Sequence, residues 1–312
     1  MKAVTRITLT DDNGIKFFGE GPCRLLQGVE RTGSLRSAAM EMEMAYSKAS
    51  KLLKQAEASL GFALTRRSAG GKDGGGSVLT EEGKQWLSRY EAYRNACIAA
   101  NQALYRQFFP ETGCVIMASG LGKRFGGNKL MADFHGVPLV RRAVDATEGL
   151  FSRRVVVTRH EAVAQLCEEQ DIPVVLHDYP HRNDTVRLGL EALGDVDCCM
   201  FLPGDQPLLR RETVRLLLET WKQEHDKIIR PVFEENDGSP VLFPAWTFPE
   251  LQNLPEGKGG GVVAGKYPDA LIRVPVTDPA ELADADTPEM LAKLKRLYLA
   301  KTTGEIKRSR YE

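Results

Sequence analysis

No stretch of this 312-residue sequence approaches the run of about 20 apolar residues that a membrane-spanning helix needs. The opening residues, "MKAVTRITLTDDNG", lack the apolar core of a secretory signal. No membrane association and a cytoplasmic location are therefore expected. The six cysteines (Cys23, Cys97, Cys114, Cys167, Cys198 and Cys199) contain no C-x-x-C pair. Most stand in apolar runs, which points to reduced, buried thiols. The five histidines are scattered and suggest no metal cluster.

Net charge is also absent, yet the charge is unevenly divided. Residues 1–109 hold 16 basic against 11 acidic side chains, and the remainder holds 26 against 31. Such asymmetry predicts two parts with different partners. The length suits about two domains. Pro110 and Gly113 in "FFPETG" break a long helical pattern, which puts the boundary between 1–109 and 110–312.

What is present begins with "VIMASGLGKRFGGNK", residues 115–129. It is not a P-loop, because Lys129 is followed by Leu130 rather than a hydroxyl residue. Gly120, Gly122 and Gly126 miss the G-x-G-x-x-G spacing by one residue. The chemistry of an anion cradle is there nonetheless. An apolar strand over 115–118 runs into glycines that let backbone N–H groups approach an anion, with Lys123, Arg124 and Lys129 to neutralise it.

Beyond residue 113, short apolar runs at 115–118, 154–158, 173–176 and 198–202 alternate with helical patterns. This predicts an α/β fold with a mainly parallel, Rossmann-like sheet whose ligands bind at the strand carboxyl ends. "MFLPGDQPLL" puts Asp205 at one such exposed tip, where a carboxylate serves best as a Mg²⁺ ligand beside a phosphate chain. "ADADTPEML" offers Asp284 and Asp286 before a helix starting at Pro288, either as a second metal ligand or as helix caps. "PEGKGGGVVAGK" offers Lys258 to an anionic substrate.

The first part reads as a helix-turn-helix. Ser34 caps a first helix with Leu35, Ala38 and Ala39 inward, and residues 45–58 form a second with Ala49, Leu52, Leu53 and Ala56 inward. Tyr46, Ser47, Lys48 and Lys51 occupy the exposed face that would meet DNA. Two β-prone runs around a glycine-rich tip read as a wing, with Arg66, Arg67 and Lys72 on phosphates. An amphipathic helix from Glu81 to about residue 109 carries Trp86, Leu87, Tyr90, Tyr93, Ile98 and Leu104 and is expected to pair with a second copy, giving a homodimer.

"TGSLRSAA", "AYSKASKLLKQAE" and "RRSAGGKDGGGSVLTEEG" make residues 5–105 resemble the winged helix-turn-helix of molybdate-responsive regulators, and more loosely that of LysR-type regulators. That resemblance implies double-stranded DNA as a partner. "MASGLGKRFGGNK", "GDQP", "GSPVLF" and "DADTPE" make residues 113–297 resemble the nucleotidyltransferases of molybdenum-cofactor maturation. The resemblance implies Mg²⁺-dependent transfer from CTP or GTP to molybdopterin. Its motifs assign the triphosphate to Arg124 and Lys129, the metal to Asp205 and Asp286, and the nucleotide to Ala118, Ser119, Gly120, Gly122, Lys129 and Thr185. The segment "RNDTVRLGL" is similar to a cytosine-proximal segment, which favours CTP. Ser119 departs from the Ala of cytidylyltransferases and the Gly of guanylyltransferases, and Ser239 stands where the family has His at a substrate contact. A regulator whose second part only senses nucleotide or cofactor is the rival reading.

Overall fold

The computed structural model describes residues 3–68 and 76–308, the last six of these by backbone alone. The chain divides into two compact units, Met1–Phe108 and Phe109–Glu312.

The first unit opens with a small antiparallel hairpin, β1 (Leu9–Thr10) and β2 (Lys16–Phe18). Helix α1 (Glu20–Thr32) follows and buries Cys23, Leu25, Leu26 and Val29. Sequence periodicity does not single out this helix, yet it supplies much of the unit's core. Gly33 ends it in the left-handed region, at φ 68°. Ser34 then caps α2 (Leu35–Glu41), accepting from the Ser37 N–H. Helix α3 (Tyr46–Leu60) buries Ala49, Leu53 and Ala56, with Leu52 half-buried beside them. Strands β3 (Thr65–Ser68) and β4 (Gly76–Leu79) pair antiparallel. The Glu57 carboxylate accepts from the N–H groups of Leu64 and Thr65 and so joins the end of α3 to β3. Lys72 lies outside the described residues. Helix α4 (Glu81–Phe108) buries Leu87 and Tyr90, while Tyr93 and Leu104 remain exposed.

The second unit begins with β5 (Thr112–Ala118), followed by the short pair β6 (Asp133–Phe134) and β7 (Val137–Pro138) and by α5 (Leu139–Thr147). Next come β8 (Arg153–Thr158), α6 (Glu161–Glu168), β9 (Val174–Leu176), α7 (Arg182–Leu193), β10 (Cys198–Pro203) and α8 (Arg211–Gln223). The chain finishes through β11 (Ile228–Phe233), β12 (Asn236–Asp237), β13 (Val241–Pro244), α9 (Phe248–Gln252), α10 (Gly261–Lys266), β14 (Leu271–Pro275) and α11 (Pro288–Arg308).

The sheet runs β12-β11-β13-β10-β5-β8-β9, with β14 beside β11. The strands β10, β5, β8 and β9 are mutually parallel, as the alternation predicts. The other side differs: β13 runs antiparallel to both β10 and β11, and β12 is antiparallel to β11. Successive residues of β5 serve opposite faces, as the pleat requires. Cys114, Ile116 and Ala118 pack with α5, α6 and α8 residues such as Val144, Val163 and Trp221. Val115 packs with α7, α9 and α10 residues such as Leu190, Leu251 and Val263. Helix α11 is held through Leu291 and Leu294 against Phe134, Leu139 and Leu208.

Helix α7 approaches β5 closely through a glycine. A Cβ on Gly189 would lie 2.6 Å from the Val115 methyls. Gly189→Val should therefore destabilise this unit by about 1–3 kcal/mol through overpacking. Gly265 has nothing within 4 Å of a built Cβ, so Gly265→Ala should be neutral or slightly stabilising. Urea unfolding of the full chain, followed by circular dichroism, compares the two.

Candidate active site

A crevice of about 580 Å³ opens at the carboxyl ends of the parallel strands. Its floor is the glycine loop after β5. Gly122 takes φ 58°, and a Cβ there would lie 2.2 Å from the Gly127 carbonyl oxygen, so only glycine fits. The N–H groups of Phe125 and Gly126 both turn back to the Gly122 carbonyl, at 2.9 and 3.0 Å. His160 Nε2 lies 2.8 Å from the Gly120 carbonyl oxygen and braces the loop from the end of β8. Asn128 then caps a 3-10 turn, Lys129–Met131, by accepting from the Leu130 N–H.

That turn sends Lys129 inward, where its side chain is only 9% exposed. Its ammonium pairs with Asp205 and, at 2.8 Å, with Asp286. Arg124, largely exposed, pairs with the other Asp286 oxygen at 2.7 Å. Burial opposes the Lys129 charge, but the carboxylates of Asp205 and Asp286 outweigh it and hold its pKa above the ordinary lysine value. The hydrogen bond from Lys129 is the main cause that holds Asp286 below the usual carboxylate range. Asp284 is pushed up, first by burial in the crevice wall and then by the charge of Asp205. It keeps open surface, so the neighbouring charge is the firmer cause. Gln206 Nε2 donates to Asp284 at 2.9 Å and to the Leu282 carbonyl. The Ala285 N–H donates to the Asp205 carbonyl at 2.9 Å, and this bond brings the segment before α11 against the tip of β10.

The crevice gathers Ser119, Gly120, Gly122, Arg124, Lys129, Thr185, Asp205, Ser239 and Asp286 around one space. Ala118 is fully buried at the end of β5 and does not reach it. Asp205 is not the freely exposed tip carboxylate expected from the Pro-Gly turn; its side chain is 17% exposed and committed to Lys129. Helix capping falls to Thr287, whose hydroxyl accepts from the Met290 N–H, while Asp286 turns to the cations. Lys258 is exposed and is not among the lining residues. Its loop instead lies against the start of α7, where Gly257 N–H donates to Asn183 and Glu256 pairs with His181. Tyr179, His181 and Arg182 line the crevice without having been singled out in the sequence. The signal available was the polar run "HDYPHRND" between a strand and a helix.

In the first unit Tyr46, Ser47, Lys48 and Lys51 are all exposed on α3, and Arg66 and Arg67 are exposed on β3. The Arg36 guanidinium lies 5.9 Å from the Tyr46 ring centroid.

Residues 114–270 match the family described as the MobA-like NTP transferase domain. Residues 23–84 match the bacterial regulatory helix-turn-helix proteins of the lysR family. The regulator half is thus of LysR type, not of the molybdate-responsive type. That closer resemblance leaned on the glycine-rich tip, of which residues 69–75 lie outside those described. A probable molybdenum cofactor guanylyltransferase of Aquifex aeolicus is 27% identical over 111 residues, 35% of this chain and 54% of that protein. A 3-deoxy-manno-octulosonate cytidylyltransferase of Neisseria meningitidis serogroup C is 27% identical over 174 residues, 52% of this chain and 62% of that protein. The chain therefore spans less than two thirds of these curated relatives. A solved nucleotidyl transferase from Methanothermobacter superposes with a TM-score of 0.53 at 20% identity, over 61% of this chain and 99% of that one. That likeness is one of fold.

The pairing of Asp286 has a pH signature. Its folded-state pKa lies below the unfolded value, so its contribution is present above the ordinary carboxylate range and is lost as pH falls through the depressed value. Asp286→Asn should lower stability at neutral pH by at most about 1 kcal/mol, given the partial exposure of the pair. The variant and parent melting curves should converge in acid, and thermal melts across pH 3–7 (about the span of the carboxylate titration) provide the check.

Proposed function

The chain belongs to the MobA-like NTP transferase domain family, and from that premise we propose that it transfers a nucleotidyl group from CTP or GTP to a phosphate of molybdopterin, while its helix-turn-helix binds duplex DNA. One chain carries a nucleotidyltransferase domain and a LysR-type helix-turn-helix domain. The observation that carries the proposal is the convergence of the glycine loop, Arg124, Lys129, Asp205 and Asp286 on one crevice.

In the proposed reaction an oxygen of the acceptor phosphate forms a bond to the α-phosphorus. The bond from that phosphorus to the bridging oxygen breaks, and its electron pair leaves with pyrophosphate. No protein nucleophile takes part, so catalysis rests on positioning and charge. Lys129 and Arg124 exchange their carboxylate partners for phosphate oxygens, while backbone N–H groups of the glycine loop face the phosphate chain. Thr185, buried at the wall, and Ser119 both line the crevice, and assigning them to the base supports CTP. Among the described residues there is no group of three metal-ligating side chains. Asp205 and Asp286 nevertheless fit Mg²⁺, which usually takes one or two carboxylates together with phosphate oxygens. Bound there, the ion would offset charge on the phosphates.

The first test incubates the protein with Mg²⁺, molybdenum cofactor and CTP, GTP or ATP in turn, reading pyrophosphate. Asp205→Asn keeps the shape of the side chain and a hydrogen-bond acceptor for Lys129, and should lower turnover by about 10²–10³-fold. Parent-like pyrophosphate release from the folded variant would exclude Asp205 from the reaction.

On the DNA side, the exposed apolar positions Tyr93 and Leu104 of α4 support pairing with a second copy. Duplex binding should weaken with salt at a log–log slope of about −0.9 per neutralised phosphate. Arg66→Ala should weaken all sequences alike and reduce that slope by about one, whereas Ser47→Ala should relax sequence preference. Mobility shifts at two salt concentrations read both effects, and a full chain that retards no duplex even at low salt refutes the DNA half.

A further inference from the structure

Ser119 lines the crevice at the exit of β5. Its Oγ lies 3.1 Å from the Val157 carbonyl oxygen and 2.8 Å from His177 Nε2. A carbonyl oxygen only accepts, so keeping both contacts as hydrogen bonds requires the single hydroxyl proton to go to Val157. His177 then carries its proton on Nε2 and donates it to Ser119. The surroundings of the ring agree with a neutral imidazole. Its Nδ1 is buried with no partner among the described residues. Burial, and after it the Arg159 guanidinium, hold its pKa below the ordinary value, with Arg187 acting the same way and Asp184 and Asp178 opposing. Tyr179 stacks on the imidazole with ring centroids 6.1 Å apart, and the Arg187 guanidinium lies 5.4 Å from the Tyr179 centroid.

A hydroxyl that has given its proton and filled one lone pair keeps one lone pair. What Ser119 offers a ligand is thus an acceptor and no donor. We propose that His177 and Val157 fix Ser119 as an obligate hydrogen-bond acceptor, and that this oxygen selects nucleobases presenting an exocyclic amine over those presenting a carbonyl or nothing at that point. The inference rests on the nucleotide-binding reading of the crevice and deepens it. Cytosine satisfies Ser119 with its amine, whereas uracil sets a carbonyl oxygen against it. Guanine and hypoxanthine differ in the same way, by the presence and absence of one amine. His177 is a positioning residue, acting through Ser119 without lining the crevice.

The experiment titrates the full chain, with Mg²⁺, by calorimetry against CTP, UTP, GTP and ITP. For whichever base the crevice takes, the amine-bearing member of its pair should bind about ten- to hundredfold more tightly, the effect of one unmatched polar group. His177→Phe keeps a ring but removes the donor and frees the Ser119 hydroxyl to turn. The preference within the pair should then fall by about tenfold, corresponding to one lost hydrogen bond. His177→Gln, whose amide N–H can donate to the same oxygen, should restore most of it, and Ser119→Ala should abolish it. Equal affinities within both pairs for the parent overturn the proposal, as does an unchanged preference in a His177→Phe variant with a parent-like melt. Should His177→Phe not fold, an unchanged preference in Ser119→Ala is the overturning result. A folded parent that binds none of the four nucleotides removes the nucleotide reading itself, and this inference with it.

Discussion

A buried ammonium has to be paired, and that requirement organises the second unit. Lys129 is nearly covered, and an uncompensated charge in such a place is far too costly to persist. Its partners come from distant parts of the chain, 76 residues away for Asp205 and 157 for Asp286. The glycine loop, the tip of β10 and the segment before α11 must therefore converge. Backbone bonds reinforce the same geometry: Gly204 donates to the Met117 carbonyl and Ala285 to the Asp205 carbonyl. The outcome is a site whose anionic and cationic groups neutralise each other. A polyphosphate with a divalent ion offers each of them a replacement partner of the same sign.

The sheet explains why this pairing is reachable. Parallel strands β5, β8, β9 and β10 put their carboxyl ends on one edge, and the segments after β5, β9 and β10 share a crevice. Thr158 at the end of β8 donates from Oγ1 to the Ala118 carbonyl at 2.8 Å and holds two of those ends together. The antiparallel strand β13 lies beside β10, and the segment entering it brings Ser239 to the same space. The lining of that space is thus furnished by several elements: Ser119 and Lys129 by the loop after β5, Thr185 by the start of α7 and Asp205 by the turn after β10.

The first unit works on a separate principle. Its core is small and is closed by aromatic contacts, with Phe18 edge-on to Tyr90 at 4.8 Å and to Trp86 at 5.6 Å. Gly28 lets α1 and α2 meet, since a Cβ there would stand 2.6 Å from that of Ala38. This packing leaves the polar start of α3, with Tyr46, Ser47 and Lys48, facing outward.

Much of this arrangement is set by local chemistry and could be read along the chain. Alternating apolar runs mark β5, β8 and β10 because a strand buried on both faces needs them. Ser34, Gly33 and the small residues of α2 and α3 mark the helix-turn-helix because caps and close packing demand those side chains. The glycine loop and the aspartates at 205 and 286 stand out for the same reason. Other features depend on which residues meet across long separations, and one-dimensional spacing does not carry that information. The antiparallel half of the sheet, the partners of Lys129, the choice of Asp286 over Asp284 for the cations, the distance of Lys258 from the crevice and the contact of His177 with Ser119 all belong to this class. Periodicity reports which way a residue faces; only the packed sheet decides what it faces, because the cost of leaving a buried charge or hydroxyl unpaired is settled by its neighbours in space.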